Sequence, residues 1–235
     1  MVRLNEPSTV FLHGFGADLR TWDGFWDFLP AGRGYLRYDL RGFGRSIALN
    51  TSLFHHSDDL LGLMDDIGID RCDLVGVSMG GSVALNFALS RPDRVRSLGL
   101  LSPGLTAWEW SDEWRALWQP IVRAARSGDL PLARRLWSAH PLFDTTRGGS
   151  AADRLHEEIS RYSGQEWIDD RQSPALPDLD RLHELETPLL LLTGKHDLAD
   201  FRLIADLIEA SAGDVWRHDA DELGHMVHLE NPAWC

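Results

Sequence analysis

The residues with the clearest chemical potential are the pentapeptide Gly76-Val77-Ser78-Met79-Gly80. A serine hydroxyl is a weak nucleophile until a base takes its proton, and it must reach substrate without its own backbone in the way. A strand that turns sharply into a helix meets the second need. Such a turn leaves no room for side chains two positions before and two positions after the serine, and Gly76 and Gly80 stand there. Taken alone, the motif also fits a glycine-rich turn whose serine caps a helix. Its context is the one a nucleophile elbow requires, with the apolar run CDLVGV before it and the helical pattern SMGGSVALNFALSRP after it. The first amides of that helix point at the serine and can stabilise negative charge.

Such a serine needs a carboxylate and then a histidine later in the chain. In LLLLTGKHD, Asp197 stands just past an apolar strand, where a sheet presents its functional groups. Asp200 is the rival acid and reads as the cap of the next helix. In ELGHMVHLENP, His225 falls on a loop that Gly224 leaves free to turn inward, and His228 is the competitor at the start of a helix. An oxyanion needs two preorganised N–H donors, each worth about 3 kcal/mol in the transition state. Met79, directly after the serine, supplies one, and Phe15 in the loop HGFG supplies the other. His13 reads as a structural residue at a strand end.

These groups must be held by a scaffold, and the chain provides one. STVFLHG, GYLRYDL, CDLVGV and VRSLGLLSP read as strands separated by helical patterns, and TPLLLLTG and DVWRHD resume the series near the end. Strand and helix alternating in this way require crossover connections, hence an α/β fold with a mostly parallel sheet covered on both faces. A helix is expected from about Ser52 to Ile67, capped by Ser52 or Ser57 and stopped by Gly68. Residues 104–186 show no convincing strand, so the chain divides into a core of 1–103 and 187–235 and a helical insertion of 104–186.

Composition narrows the function. The chain has 235 residues, 43% of them apolar, which suits a packed core. Its 36 acidic against 23 basic residues give a net charge of −13, with no basic cluster, which argues against a nucleic-acid partner. Cys72 and Cys235 make no disulfide framework, and the segment MVRLNEPSTVFLHG is too short in apolar residues for a signal peptide. No membrane span is expected, and a cytoplasmic location follows. The tract HHSDD at 55–59 lacks the spaced partners a metal site needs, so no metal and no cofactor is expected.

With these pieces in place the chain resembles the α/β-hydrolase superfamily, in its small serine esterase, lactonase and acyl-thioester branch. The matches are FLHGFG at 11–16, YDLRGFGRS at 38–46, GVSMGG at 76–81, TGKHD at 193–197 and GHMVHLENP at 224–232. The resemblance implies Ser78, Asp197 and His225 as a catalytic triad and Phe15 and Met79 as oxyanion donors. It also implies that 104–186 forms a helical cap. His225, Glu230 and Pro232 fit the family's spacing after the histidine. The chain stops at Cys235, where relatives continue into a terminal helix, and only about seven residues precede the first strand, so the resemblance implies thinner cover on one sheet face.

Trp110, Trp114 and Trp118 recur every four residues and read as one helical stripe that packs the cap and could line an acyl or alcohol pocket. DTTRGGS at 144–150 reads as a flexible break in that cap. The function expected is cleavage of a carboxylic ester, lactone or thioester through an acyl-enzyme. A C–C bond hydrolase, an enol-lactonase, a cofactor-free perhydrolase and a ligand receptor of the same fold remain as alternatives. Epoxide hydrolases and haloalkane dehalogenases carry an aspartate at the position of Ser78, and plant-type hydroxynitrile lyases a lysine at that of Met226. The menaquinone-pathway lyase of this fold is similar in FRLIADLIE, but it carries a basic residue four after its nucleophile, where this chain has Ser82.

Overall fold

The computed structural model describes residues 8–49, 52–173 and 175–235. The expectation of no signal peptide rests largely on residues 1–7, outside that range. Six strands, β1 (Ser8–Leu12), β2 (Gly34–Arg37), β3 (Cys72–Val77), β4 (Val95–Leu101), β5 (Leu189–Gly194) and β6 (Val215–Ala220), form one sheet in the order β2-β1-β3-β4-β5-β6. Every neighbouring pair is parallel. The fold is therefore the expected α/β arrangement, and each apolar run singled out in the sequence contains a strand.

The strand order locates the site before any side chain is considered. From β1 the chain moves outward to β2, then returns to lay β3 on the other side of β1 and continues to β6. The direction of winding reverses between β1 and β3, and the crevice at the carboxyl ends of such a pair is where open α/β sheets bind ligands. The loops after β1 and β3 carry Phe15 and Ser78.

The crossovers are α1 (Asp23–Trp26), α2 (His56–Ile67), α3 (Met79–Ser90) and α9 (Ala199–Ser211), and α10 (Val227–Glu230) follows β6. Between β4 and β5 lie α4 (Asp112–Arg126), α5 (Leu130–Ser138), α6 (Asp144–Gly148), α7 (Ala152–Arg161) and α8 (Gln165–Ile168). α3 is apolar almost all round, and Gly80 through Leu89 are all buried apart from Ser82. α2 stops at Gly68, whose φ of 76° closes the helix through bonds to Asp65 and Met64. Among the described residues no helix is long and apolar enough to cross a membrane.

Two local expectations differ from the structure. α2 begins at His56, and neither Ser52 nor Ser57 caps it. Phe54 pairs with the chain at Arg171 and Ser173, which holds the residues before the helix extended, and Ser57 Oγ donates to Asn86 instead. The stretch 144–150 is no flexible break. It contains α6, and the buried Thr146 donates its hydroxyl proton to Glu230 beside the C-terminal loop.

The larger core cluster runs from one sheet face into the helices between β4 and β5, through residues such as Leu74, Leu100, Ile121 and Trp137. The opposite face has a smaller cluster of Phe11, Trp22, Val77, Leu101, Leu192 and Val227. Beside it, Val75, Gly99, Leu190 and Trp216 line a groove of about 320 Å³, and Trp216 on the edge strand is 72% exposed.

His56 is buried between Phe43 and Phe54, and neither ring nitrogen has a hydrogen-bond partner. Burial lowers its pKa to about 3. As pH falls below the ordinary value near 6.5 the unfolded chain takes the proton first, so folding loses stability on the acid side. Between pH 8 and pH 5 this one residue accounts for about 2 kcal/mol. His56→Phe, beside a cavity of about 240 Å³ that the ring lines, should remove that share. Urea unfolding at both pH values would read it, and an unchanged acid loss in the variant would refute the assignment.

Candidate active site

Ser78 lies at the junction of β3 and α3 with φ 53° and ψ −117°, on the left-handed side that L-residues avoid. Holding a residue there costs about 1–3 kcal/mol, and the flanking contacts enforce it. A Cβ on Gly76 would lie 2.3 Å from the carbonyl oxygen of Gly80, and one on Gly80 would lie 2.3 Å from that of Leu12. The two glycines let β3, α3 and the end of β1 pass at backbone contact, and that contact turns the serine outward. Ser78 is part-exposed at the head of α3.

The loop after β1 is fixed with equal care. His13 is buried, its Nδ1 donating to the Gly14 carbonyl at 2.8 Å and its Nε2 accepting from Leu40 N–H at 3.0 Å. Burial lowers its pKa and keeps the ring neutral. Asp39 accepts from Leu19 N–H and Arg45 N–H, both at 2.9 Å, and so ties the segment 39–46 to the same loop. A Cβ on Gly14 would touch Ser78 Cβ at 3.4 Å, so this loop lies against the serine. Neither Phe15 N–H nor Met79 N–H donates to a backbone carbonyl among the turn and loop bonds of the described residues.

Asp197 and His225 come together from separate loops after β5 and β6. His225 Nδ1 donates to Asp197 Oδ2 at 2.9 Å, and both side chains are 1% exposed. The other carboxylate oxygen accepts from Leu198 N–H at 2.7 Å. Nδ1 thus carries the ring proton, which leaves Nε2 with a lone pair, and Nε2 has no protein partner. The His225 loop is held by Glu230, which accepts from Gly224 N–H at 2.6 Å and from Thr146 on α6.

The two competitors have other partners. His228 is fully buried, hydrogen-bonded to Thr21 Oγ1 at 2.8 Å, packed on Trp22 and lowered in pKa to about 3 by burial. Asp200 does not cap α9, since Leu198 occupies the cap position. Its carboxylate accepts from Trp108 Nε1, Ser111 N–H and Ser111 Oγ, the last at 2.6 Å, and so fastens the start of α4 to the helix that follows Asp197.

The three tryptophans do not share one helix. Trp114 and Trp118 are on α4, and Trp110 precedes it. They nevertheless stack, at 4.4 Å between Trp110 and Trp114 and 6.2 Å between Trp114 and Trp118. Trp114 meets Phe201 at 5.7 Å, Phe201 lies on His225 at 4.2 Å, and Trp118 meets Phe15 at 5.2 Å. The stack is an aromatic wall that links Phe201, against His225, to Phe15 in the loop after β1. Phe201 escapes a sequence reading because its position four residues after Asp197 looks like ordinary helix core. A cavity of about 530 Å³ between α5 and α7 is lined by Arg134, Arg135, Arg147 and His156, and none of Ser78, Asp197 and His225 lines it.

The chain is similar to known proteins over nearly its whole length. The 2-succinyl-6-hydroxy-2,4-cyclohexadiene-1-carboxylate synthase of Klebsiella pneumoniae is 32% identical over 97% of this chain and 90% of its own length. The 3-oxoadipate enol-lactonase 1 of Acinetobacter baylyi is 24% identical over 97% of this chain and 85% of its own length. Among solved structures, MenH from S. aureus matches in fold with a TM-score of 0.80 at 22% identity, covering 95% of this chain and 88% of that one. A family model described as the alpha/beta hydrolase family matches residues 9–235, and the chain belongs to that family.

Proposed function

We propose that this protein is a serine hydrolase that cleaves a carboxylic ester or lactone through an acyl-enzyme, with residues 104–186 as a cap over the site. The observation that carries the reading is the buried Asp197–His225 pair with a free Nε2, taken with a serine strained outward at the head of a helix. Ser78 Oγ attacks the ester carbonyl as His225 Nε2 takes its proton. Asp197 holds the ring in the tautomer that can accept and stabilises the cation that forms. The amides of Phe15 and Met79 receive the developing oxyanion. His225 then passes its proton to the leaving oxygen, which departs as the alcohol, and activates a water that releases the acid. No Ser78–His225 bond is present in the free protein, and such contacts tighten when substrate arrives.

Similarity to the cyclohexadiene carboxylate synthase supports a second reading, in which this protein is a synthase of that kind and forms no acyl-enzyme. Ser82 disfavours it: the position four after the nucleophile carries a hydroxyl that bonds Thr106 at 3.1 Å in place of a cation. Turnover of p-nitrophenyl acetate, butyrate and octanoate, with mass mapping of quenched protein, separates the two. An acyl group on the peptide containing Ser78 is the expected result. Folded protein that turns over none of the three esters, nor γ-butyrolactone, would sink the hydrolase reading.

A further inference from the structure

His140, which follows α5, is 2% exposed. Its Nδ1 accepts from Leu142 N–H at 3.1 Å and so caps the turn Pro141–Phe143. A ring nitrogen that accepts carries no proton, so the proton of the neutral ring is on Nε2. Burial, and then the nearby charge of His225, lowers the pKa to about 4 and keeps the ring neutral. The Nε2–H is buried, and no protein group accepts from it. The turn uses only Nδ1.

The ring stands in the aromatic wall, 5.0 Å from Trp114 and 5.3 Å from Trp137. Trp114 meets Phe201, which lies on His225. The wall therefore holds two histidines with unpartnered Nε2 atoms, an acceptor on His225 and a donor on His140. His225 must reach the leaving oxygen, so the group beside this part of the wall is the alcohol portion of the ester. A neutral donor among indole rings suits an uncharged acceptor. A carboxylate would be stripped of water there with no cation to meet it, and Asp144, whose charge also reaches the ring, opposes it further.

We propose that His140 is a substrate-binding residue whose buried Nε2–H, set in the tryptophan wall beside His225, receives an uncharged carbonyl oxygen on the alcohol portion of the ester. This rests on the hydrolase reading above. A site that buries a donor discriminates against substrates that leave it unpaired.

The test uses full-length protein and two matched pairs, 2-oxopropyl butyrate with propyl butyrate and 4-oxopentyl butyrate with pentyl butyrate. Binding to Ser78→Ala is read by tryptophan fluorescence, and turnover by wild type as release of butyric acid. In the Ser78→Ala protein one ketone or both should bind about tenfold tighter than the alkyl partner, the scale of one good hydrogen bond. Adding His140→Met, which keeps a weak acceptor for Leu142 N–H, or His140→Phe, which keeps a ring, should bring that ratio to about one, since both remove the donor. A melting temperature close to that of the parent establishes that each variant is folded. Equal binding within both pairs, or a ketone preference that survives both variants, overturns the proposal. If the ketone preference is present but no ester is turned over by wild type, the hydrolase reading fails and His140 keeps its ligand. If the esters are hydrolysed without that preference, only the role of His140 fails.

Discussion

Ser78→Ala should lower kcat towards an ester by about 10⁴- to 10⁶-fold, because removing the nucleophile of a serine triad leaves only the oxyanion donors and binding. The fold should hardly notice. The side chain is part-exposed, no described residue hydrogen-bonds its hydroxyl, and such substitutions stay within about 0.5 kcal/mol. Ser78→Gly sharpens the point. With φ at 53° the wild-type backbone is strained, and glycine adopts that conformation freely, so the variant should be as inactive as Ser78→Ala and about 1 kcal/mol more stable. Activity and thermal melting of the three proteins test this together. Turnover by Ser78→Ala equal to that of wild type would mean the nucleophile is another residue. A Ser78→Gly protein less stable than Ser78→Ala would mean the strain is misjudged.

Gly80→Ala should cost about 3 kcal/mol or more, at the top of the range for overpacking or above it. The added Cβ would lie 2.3 Å from Leu12 O and 2.6 Å from His13 O, and both are backbone atoms that cannot rotate away. Leu12 is paired with Gly76 in the β1–β3 ladder, so relief requires α3 to lift from the sheet. That motion separates Met79 N–H from Phe15 N–H, and about a hundredfold loss of kcat/KM should accompany the loss of stability, the scale of one lost oxyanion donor. Gly62→Ala is the control. Gly62 is in the middle of α2 with nothing within 4 Å of an added Cβ, so alanine there should stabilise by about 0.5–1 kcal/mol. Denaturant unfolding of both variants decides the matter, and a Gly80→Ala protein as stable as wild type would contradict the close approach.

Much of this site is legible in sequence because the elbow is local. A strand (Cys72–Val77), the single residue Ser78 and a helix (Met79–Ser90) follow one another without a gap, and the glycines mark where another backbone must pass. The six strands are legible for the same reason, as short apolar runs with breaks between them. The winding reversal at β1 and β3, which turns six runs into a crevice, follows from the parallel rule once β1 and β3 are neighbours. That neighbouring is a matter of packing, not of any residue pattern.

The acid and the histidine proposed to serve Ser78 are harder to read, since Asp197 and Asp200 stand three residues apart, as do His225 and His228. A shift of that size on a loop or a first helical turn reverses where a side chain points, and no local pattern records it. Contacts with distant segments separate them: His228 meets Thr21, and Asp200 meets Trp108 and Ser111, while His225 and Asp197 meet each other. The tryptophan spacing announced an apolar face and misplaced its support, because Trp110 continues the stack from outside the helix. The stretch 144–150, rich in glycine and threonine, looks loose in isolation and is fastened through Thr146 by Glu230, 84 residues away. His140 had no signature at all. By itself, then, the sequence determined the elbow, the strands and the residue types available to the chemistry, because these depend on steric demands and periodicities within a few residues. Only the tertiary structure decided which acid and which histidine meet and which rings enclose them, because those choices are made by packing between segments far apart in the chain.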